Sequence, residues 1–272
     1  MVWTQPECPK PLKLYYQKVS KMGQKQGKKR LDVILTEREF FPSREKAQAS
    51  VMAGVVLVNG VVELKPGTNY NEDIEITITE NILKYVSRGG LKLEKAIDKW
   101  SINLTGKTCM DIGASTGGFT DLMLQSGAEK VYAIDVGYGQ LDWKLRNDNR
   151  VVNLERTNIR YLDFELIKEE IDFVSVDVSF ISLKHIFRVA SRLIKEDATI
   201  VALIKPQFEA ERNQVGKNGI IRNPAVRLET VEKVRNYATE SNLELIEVIE
   251  CPITGAKGNV EFLGRFQKKV NE

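Results

Sequence analysis

The sequence predicts an α/β protein, with a doubly wound, mostly parallel sheet in the larger carboxyl-terminal part and a small α+β unit before it. Three observations carry this. Short β-branched apolar runs at 108–113, 131–136, 173–178 and 199–204 are separated by amphipathic stretches, the alternation that builds a parallel sheet with helices on both faces. Ahead of them, residues 30–80 hold two helix signals and an Asn-Gly hairpin signal. The 272 residues, 42% hydrophobic and 28% charged, suffice for one large domain and a small one. The boundaries read as a basic flexible tail at 1–29, a small domain at 30–80, a linker at 81–87 and a large domain at 88–272.

From Arg30 to Thr36, the residues Leu31, Ile34 and Leu35 fall at helical spacing. A second helix follows Pro42-Ser43, with the Ser43 hydroxyl as acceptor for a free N–H of the first turn, Ala47, Val51 and Met52 inward, and Gly54 as the stop. In VVLVNGVVEL two β-branched runs meet at Asn59-Gly60, residues that tolerate the positive φ of a tight hairpin. A further strand, 74–78, alternates Ile with Glu and Thr. Late in the chain Asn223 caps a helix, Pro224 opens it, and Leu228, Val231, Val234 and Ala238 form its face. Strands at 243–250 and 258–266 close the sheet.

The formal net charge of +3 is unevenly spread. Residues 1–65 carry 12 Lys+Arg against 6 Asp+Glu, and the remainder is net −3. A basic amino-terminal region suits a polyanionic partner, because each phosphate neutralised releases counterions. The longest uncharged apolar stretches, 51–58 and 198–204, are far shorter than the ~20 residues of a bilayer helix. No apolar run or small-residue cleavage site follows Lys10, Lys13 and Lys18, so no secretory signal is expected and the reducing cytoplasm is the expected compartment. Cys8, Cys109 and Cys251 are far apart and His185 is the single histidine, so neither a disulfide framework nor a metal site is expected.

The segment TCMDIGASTGGFTDLML reads as strand, glycine loop and helix. Its G-x-x-x-G-G spacing differs from that of a dinucleotide site, and Asp111 near the strand end would repel a pyrophosphate. A carboxylate there suits an ammonium-bearing ligand without phosphate, and S-adenosylmethionine is such a ligand. The expected cofactor contacts are Asp111, Gly113, Ser115, Thr116, Gly117, Gly118 and Phe119. Asp135 ends the next strand, 24 residues on, where a carboxylate can accept from both ribose hydroxyls. Asp163 in RYLDF is expected at the adenine amino group. Phe119 and Trp143 read as packing residues, with an aromatic beside adenine as the alternative.

Asp177 and Lys205 follow buried apolar strands and so point at the crevice where the cofactor's reactive end belongs. The Asn/Asp-Pro-Pro-aromatic motif of base-amino methylation is absent, and no cysteine follows the corresponding strands. A hydroxyl acceptor is therefore favoured.

Together SRGGLKL, DIGASTGGFTD, IDVGYGQLDWKLR, LERTN, VDVSFISL, KPQFE and GNVEFL resemble the TlyA, or haemolysin A, family of ribosomal RNA 2′-O-ribose methyltransferases. The resemblance spans about residues 30–266, and the first 29 residues depart from it. It implies a Rossmann-like FtsJ-type methyltransferase domain after an RNA-binding domain of the kind named for the fourth protein of the small ribosomal subunit. It also implies a Lys-Asp-Lys-Glu tetrad, matched by Lys92, Asp177, Lys205 and Glu261, and a cytidine acceptor in ribosomal RNA or ribosomal subunits. Arg30, Arg44, Lys46 and Arg88 are the first candidates for RNA contact, with Arg156, Lys217 and Arg222 near the site. The segment 206–222 reads as a mobile substrate loop. Two rival functions stand beside this one: a membrane-active haemolysin, which requires an amphipathic or spanning segment, and an RNA-binding ribosome-assembly factor with vestigial catalysis.

Overall fold

The computed structural model describes residues 15–16, 27–78, 84–255 and 258–269. The chain divides into two compact units, Met1–Lys84 and Tyr85–Glu272.

In the first unit, β1 (Tyr15–Tyr16) and β2 (Lys29–Arg30) precede α1 (Leu31–Glu37) and α2 (Arg44–Ala53). Four short strands follow: β3 (Val56–Val58), β4 (Val61–Val62), β5 (Asn69–Tyr70) and β6 (Ile76–Ile78). The second helix begins and ends as its sequence dictates. Ser43 Oγ accepts from Lys46 N, and Gly54 stops α2 in the left-handed region. Asn59 and Gly60 have φ of 51° and 78°, closing the β3–β4 hairpin. Leu31, Ile34, Leu35, Ala47, Val51, Val56, Val58 and Ile76 form the core. Met52, expected inward, is 56% exposed, one position off the buried stripe. Two features were not legible. The stretch 1–29 contains a strand, β1, that pairs antiparallel with β6, and β2 pairs with β5. Most of the expected tail, and residues 81–83 of the expected linker, lie outside the described residues.

The second unit runs α3 (Gly89–Trp100), β7 (Thr108–Ile112), α4 (Gly118–Gln125), β8 (Lys130–Ile134), α5 (Trp143–Arg146), β9 (Val151–Leu154), β10 (Ile171–Val176), α6 (Leu183–Ala190) and β11 (Ile194–Ile204). It closes with α7 (Pro206–Glu209), α8 (Pro224–Glu240), β12 (Leu243–Glu250) and β13 (Phe262–Lys268). The sheet order is β12-β13-β11-β10-β7-β8-β9. The ladders from β9 to β11 are parallel, and β13 runs antiparallel to both neighbours. Side chains alternate between two cores: Val131 and Ala133 of β8 join one, Tyr132 and Ile134 the other. The strand order reverses between β7 and β10, so the crevice at their carboxyl ends is where a ligand belongs.

Along α8, Val231, Val234 and Ala238 are buried with Thr230, whereas Leu228 is 63% exposed and leaves the expected face. The expected loop 206–222 holds α7 and two short 3-10 turns. Asn259 ties it down, donating to Gly219 O at 2.9 Å and accepting from Ile221 N at 3.0 Å. No helix among the described residues is long and apolar enough to cross a membrane.

Candidate active site

The ends of β7, β8 and β10 are laced together by backbone hydrogen bonds. Gly113 donates to Ile134 O at 2.9 Å, and Asp177 donates to Ile112 O at 3.0 Å. Gly113 has φ 87°, and a Cβ there would lie 2.4 Å from the Asp177 carbonyl oxygen, so only glycine lets the loop pass this close to the end of β10. Ser115, with φ 50°, donates its N–H to Asp135 Oδ2 at 2.8 Å, and Gly137 donates to Asp135 Oδ1 at 2.7 Å.

Two adjoining clefts open on this loop and share Gly113, Ser115, Asp177, Ser179 and Phe180. The first, about 410 Å³, is lined by Thr116, Gly118 and Phe119 and by Lys92, Lys205 and Glu261. The second, about 580 Å³, is lined by Asp135, Val136, Asn158 and Ile159. This donor set fits S-adenosylmethionine. Each Asp135 oxygen already takes one N–H and retains capacity for a ribose hydroxyl. Val136 and Ile159 offer apolar surface for an adenine. Ser115 and Thr116 line the first cleft, and Ser115 Oγ donates to Oε1 of Gln140, at 3.3 Å, on the second.

Three cofactor expectations require correction. Asp111 is fully buried and lines neither cleft; its carboxylate accepts from Thr120 Oγ1 at 2.7 Å and Ser175 Oγ at 3.0 Å. Burial, opposed by those two hydroxyls, pushes its pKa up to about 6. It braces the loop from beneath and has no face for an ammonium. Asp163 is exposed and caps the 3-10 turn Phe164–Leu166, accepting from Glu165 N at 3.0 Å. The preceding 3-10 turn, Ile159–Tyr161, carries the chain away, and Asn158 of LERTN takes the place on the cleft. Gly117, with φ 94°, packs on Leu145 instead of lining a cleft. Phe119 packs as expected, at 4% exposed, while Trp143 is 77% exposed on the short helix α5.

The tetrad residues come from four elements. Lys92 stands on α3, Asp177 follows β10, Lys205 follows β11 and Glu261 precedes β13. Lys205 Nζ lies 2.5 Å from Asp177 Oδ1, and Lys92 Nζ lies 3.8 Å from Asp177 Oδ2 and 3.0 Å from Glu261 Oε2. Burial pulls the Lys92 pKa down, but the facing Asp177 and Glu261 carboxylates outweigh it and hold the ammonium above its ordinary value. Two residues that sequence reasoning missed complete the array. Lys205 Nζ donates to Ser179 Oγ at 3.1 Å, and Gln207 Nε2 donates to Glu261 Oε1 at 3.0 Å. Both lie two residues from a tetrad member, the signal that could have found them. Glu209, also in KPQFE, turns away and accepts from Ser182 Oγ and Leu183 N at the start of α6. His185 is exposed on α6.

The proposed RNA contacts fall in both units. In the first, Arg30 engages the fully buried Asp32 through Nε and an NH2 group at 3.0 and 2.8 Å, and Arg44 Nε reaches the same carboxylate at 3.0 Å. Lys46 sits in the first turn of α2. In the second, Arg88 precedes α3 and its side chain is half-buried. Arg156 stacks over the Tyr138 ring at 4.1 Å.

A model of FtsJ-like methyltransferases matches residues 85–268, and a model of the S4 domain matches residues 29–74. The 16S/23S rRNA (cytidine-2′-O)-methyltransferase TlyA of Mycobacterium tuberculosis is 42% identical over 234 residues, 86% of this chain and 87% of its own. Hemolysin A of Brachyspira hyodysenteriae is 45% identical over 248 residues, 87% of this chain and 99% of its own. A solved structure, named as a candidate hemolysin of Streptococcus thermophilus, is similar with a TM-score of 0.70 at 43% identity, covering 89% of each chain. The strand order, the glycine loop and these likenesses agree: the chain belongs to the TlyA, or haemolysin A, family of FtsJ-like methyltransferases that carry an S4 domain.

Proposed function

We propose that this protein transfers a methyl group from S-adenosylmethionine to the ribose 2′-hydroxyl of a cytidine in ribosomal RNA. The single observation that carries the reading is the meeting of Lys92, Asp177, Lys205 and Glu261 on the cleft that adjoins the glycine loop. S-adenosylmethionine supplies an electrophilic methyl on a sulfonium, so the ribose oxygen–carbon bond forms as the carbon–sulfur bond breaks and the hydroxyl proton must leave. Lys205 is the residue assigned to the 2′-hydroxyl, which it holds in line. Lys205 is also the base that takes the hydroxyl proton, and Asp177, 2.5 Å away, orients its amine and pairs with the ammonium that forms. Lys92, kept charged by its two carboxylates, fixes Asp177 from the other side. Loop residues 113–119 and Asp135 hold the cofactor. The S4 unit docks structured RNA through phosphates, with Arg30, Arg44 and Lys46 as its contacts, and Arg88 adds one beside α3. A ribosomal substrate implies a cytoplasmic enzyme.

The test is incubation of methyl-labelled S-adenosylmethionine with ribosomes, each subunit and naked rRNA, followed by alkaline hydrolysis and mapping. The expected product is one alkali-resistant dinucleotide with the label on a cytidine ribose. Label on a base, or no label although the cofactor binds, contradicts the reading.

A further inference from the structure

We propose that Gln207 is a positioning residue for methyl transfer, holding Glu261 so that Lys92, Asp177 and Lys205 keep one arrangement. The inference rests on the function proposed above and adds a member that the tetrad does not contain. Glu261 is 3% exposed. Its Oε2 accepts from Lys92 Nζ and its Oε1 from Gln207 Nε2, each at 3.0 Å. A Cβ on Gly255 would lie 2.0 Å from Oε1, so the carboxylate is seated directly against the Gly255 backbone. With both oxygens engaged, Glu261 acts on the reaction through Lys92, and Gln207 acts through Glu261.

The other half of the carboxamide supports this direction of causation. Gln207 Oε1 is buried and has no hydrogen-bond partner among the described residues. A buried carbonyl left unpaired is costly, so the amide is not oriented by its own satisfaction. Turned over, it would face Oε1 against the Glu261 carboxylate, acceptor against acceptor. The orientation is set by the need to donate to Glu261. A neutral donor is also the one that fits the charge balance, because two lysines already match Asp177 and Glu261. One element sets both ends of the array: Lys205 is the N-cap of α7, Pro206 its first residue, and Gln207 lies in its first turn.

Two variants and two readouts test this. In Gln207→Leu, which keeps size and removes the donor, kcat is expected to fall by up to about 10²-fold, with KM for RNA and cofactor within twofold. The loss should lie in kcat alone, a split that a merely structural role would not give. Gln207→Glu places two carboxylates face to face. Its kcat should fall further than that of Gln207→Leu, because the two like charges repel. The second readout needs no turnover: the carboxyl ¹³C resonance of Glu261 at one fixed pH, followed by NMR, should move in Gln207→Leu relative to the native chain, because the hydrogen bond to Oε1 is lost. Native-like kcat in both variants, or an unmoved Glu261 resonance, overturns the proposal. Failure of the native enzyme to methylate ribose would overturn the proposed function and leave the NMR result to decide this one.

Discussion

Asp32 in the S4 unit and Glu261 in the methyltransferase unit are both buried carboxylates, 0% and 3% exposed; Asp32 holds Arg30 and Arg44, and Glu261 holds Lys92, which leads through Asp177 to Lys205. The cations they hold differ in kind and in outlook. The Arg30 and Arg44 side chains are 45% and 49% exposed. Guanidinium groups never lose their charge, and a fixed fork presents them outward, which suits phosphate recognition. In the cleft, the Lys92 and Lys205 side chains are only 14% and 9% exposed. Ammonium groups can give and take a proton, and they alternate with Asp177 and Glu261 in one chain of contacts. On the function proposed above, one device, a buried anion gripping cations, serves display in one unit and proton management in the other.

The largest expected break comes from Lys92→Met. It leaves Glu261 buried without its countercharge, and removing one partner of such a pair costs about 3–5 kcal/mol. Denaturant unfolding should show that loss, and methyl transfer should fall with it. The double variant Lys92→Met/Glu261→Gln should recover much of the stability and none of the activity.

Asp32→Asn tests the other side. The Arg30 guanidinium first, against burial, then Gln48 and Arg44, hold the Asp32 carboxyl far below the usual carboxylate range. A depressed carboxylate contributes stability that is fully present above its unfolded pKa, near 4, and is lost as pH falls through the folded value. Hydrogen exchange in α1 and α2 should therefore speed up below about pH 4 in the native chain, and Asp32→Asn should lack that acid dependence. The variant gains one positive charge, yet its RNA affinity should fall because the forks are no longer aimed. Tighter binding would mean that charge alone counts there.

The smallest effect belongs to Asp111, whose pKa is raised to about 6 by burial. Between the unfolded value near 4 and that folded value the native state holds the extra proton, so stability declines as pH rises through this window and levels off above it. Asp111→Asn should flatten this slope, as read by thermal unfolding across pH 4 to 7, with little change in cofactor affinity. A large loss of affinity would restore the direct ammonium contact.

What the sequence made legible was backbone chemistry. Ser43, Gly54, Asn59-Gly60, Asn223 and the loop at 113–118 each ask for a conformation that few other residues supply, and each occupies it. Side-chain direction was legible only where strand parity was certain. Asp111 stands one residue before the end of β7, so it turns into the core with Thr120 and Ser175. Asp163 was misplaced because a three-residue 3-10 turn, which leaves no periodic trace, redirects the chain. Leu228 and Met52 show the same limit on helices, where a stripe one position wide decides burial. The tetrad was readable as motifs. Its closure by Ser179 and Gln207 was not read, because a serine or a glutamine alone names no chemistry and only their place two residues from a tetrad member marks them.

Lys205→Ala tests the central claim most directly, with methyl incorporation into rRNA measured beside equilibrium binding of RNA and of S-adenosylmethionine. The expected result is a drop in kcat of about 10²- to 10⁴-fold, the scale of a lost proton-transfer group, with both affinities within about twofold of native. Near-full activity with normal binding would contradict the assignment of Lys205 to the 2′-hydroxyl and, with it, the division between a unit that displays its cations and one that uses them.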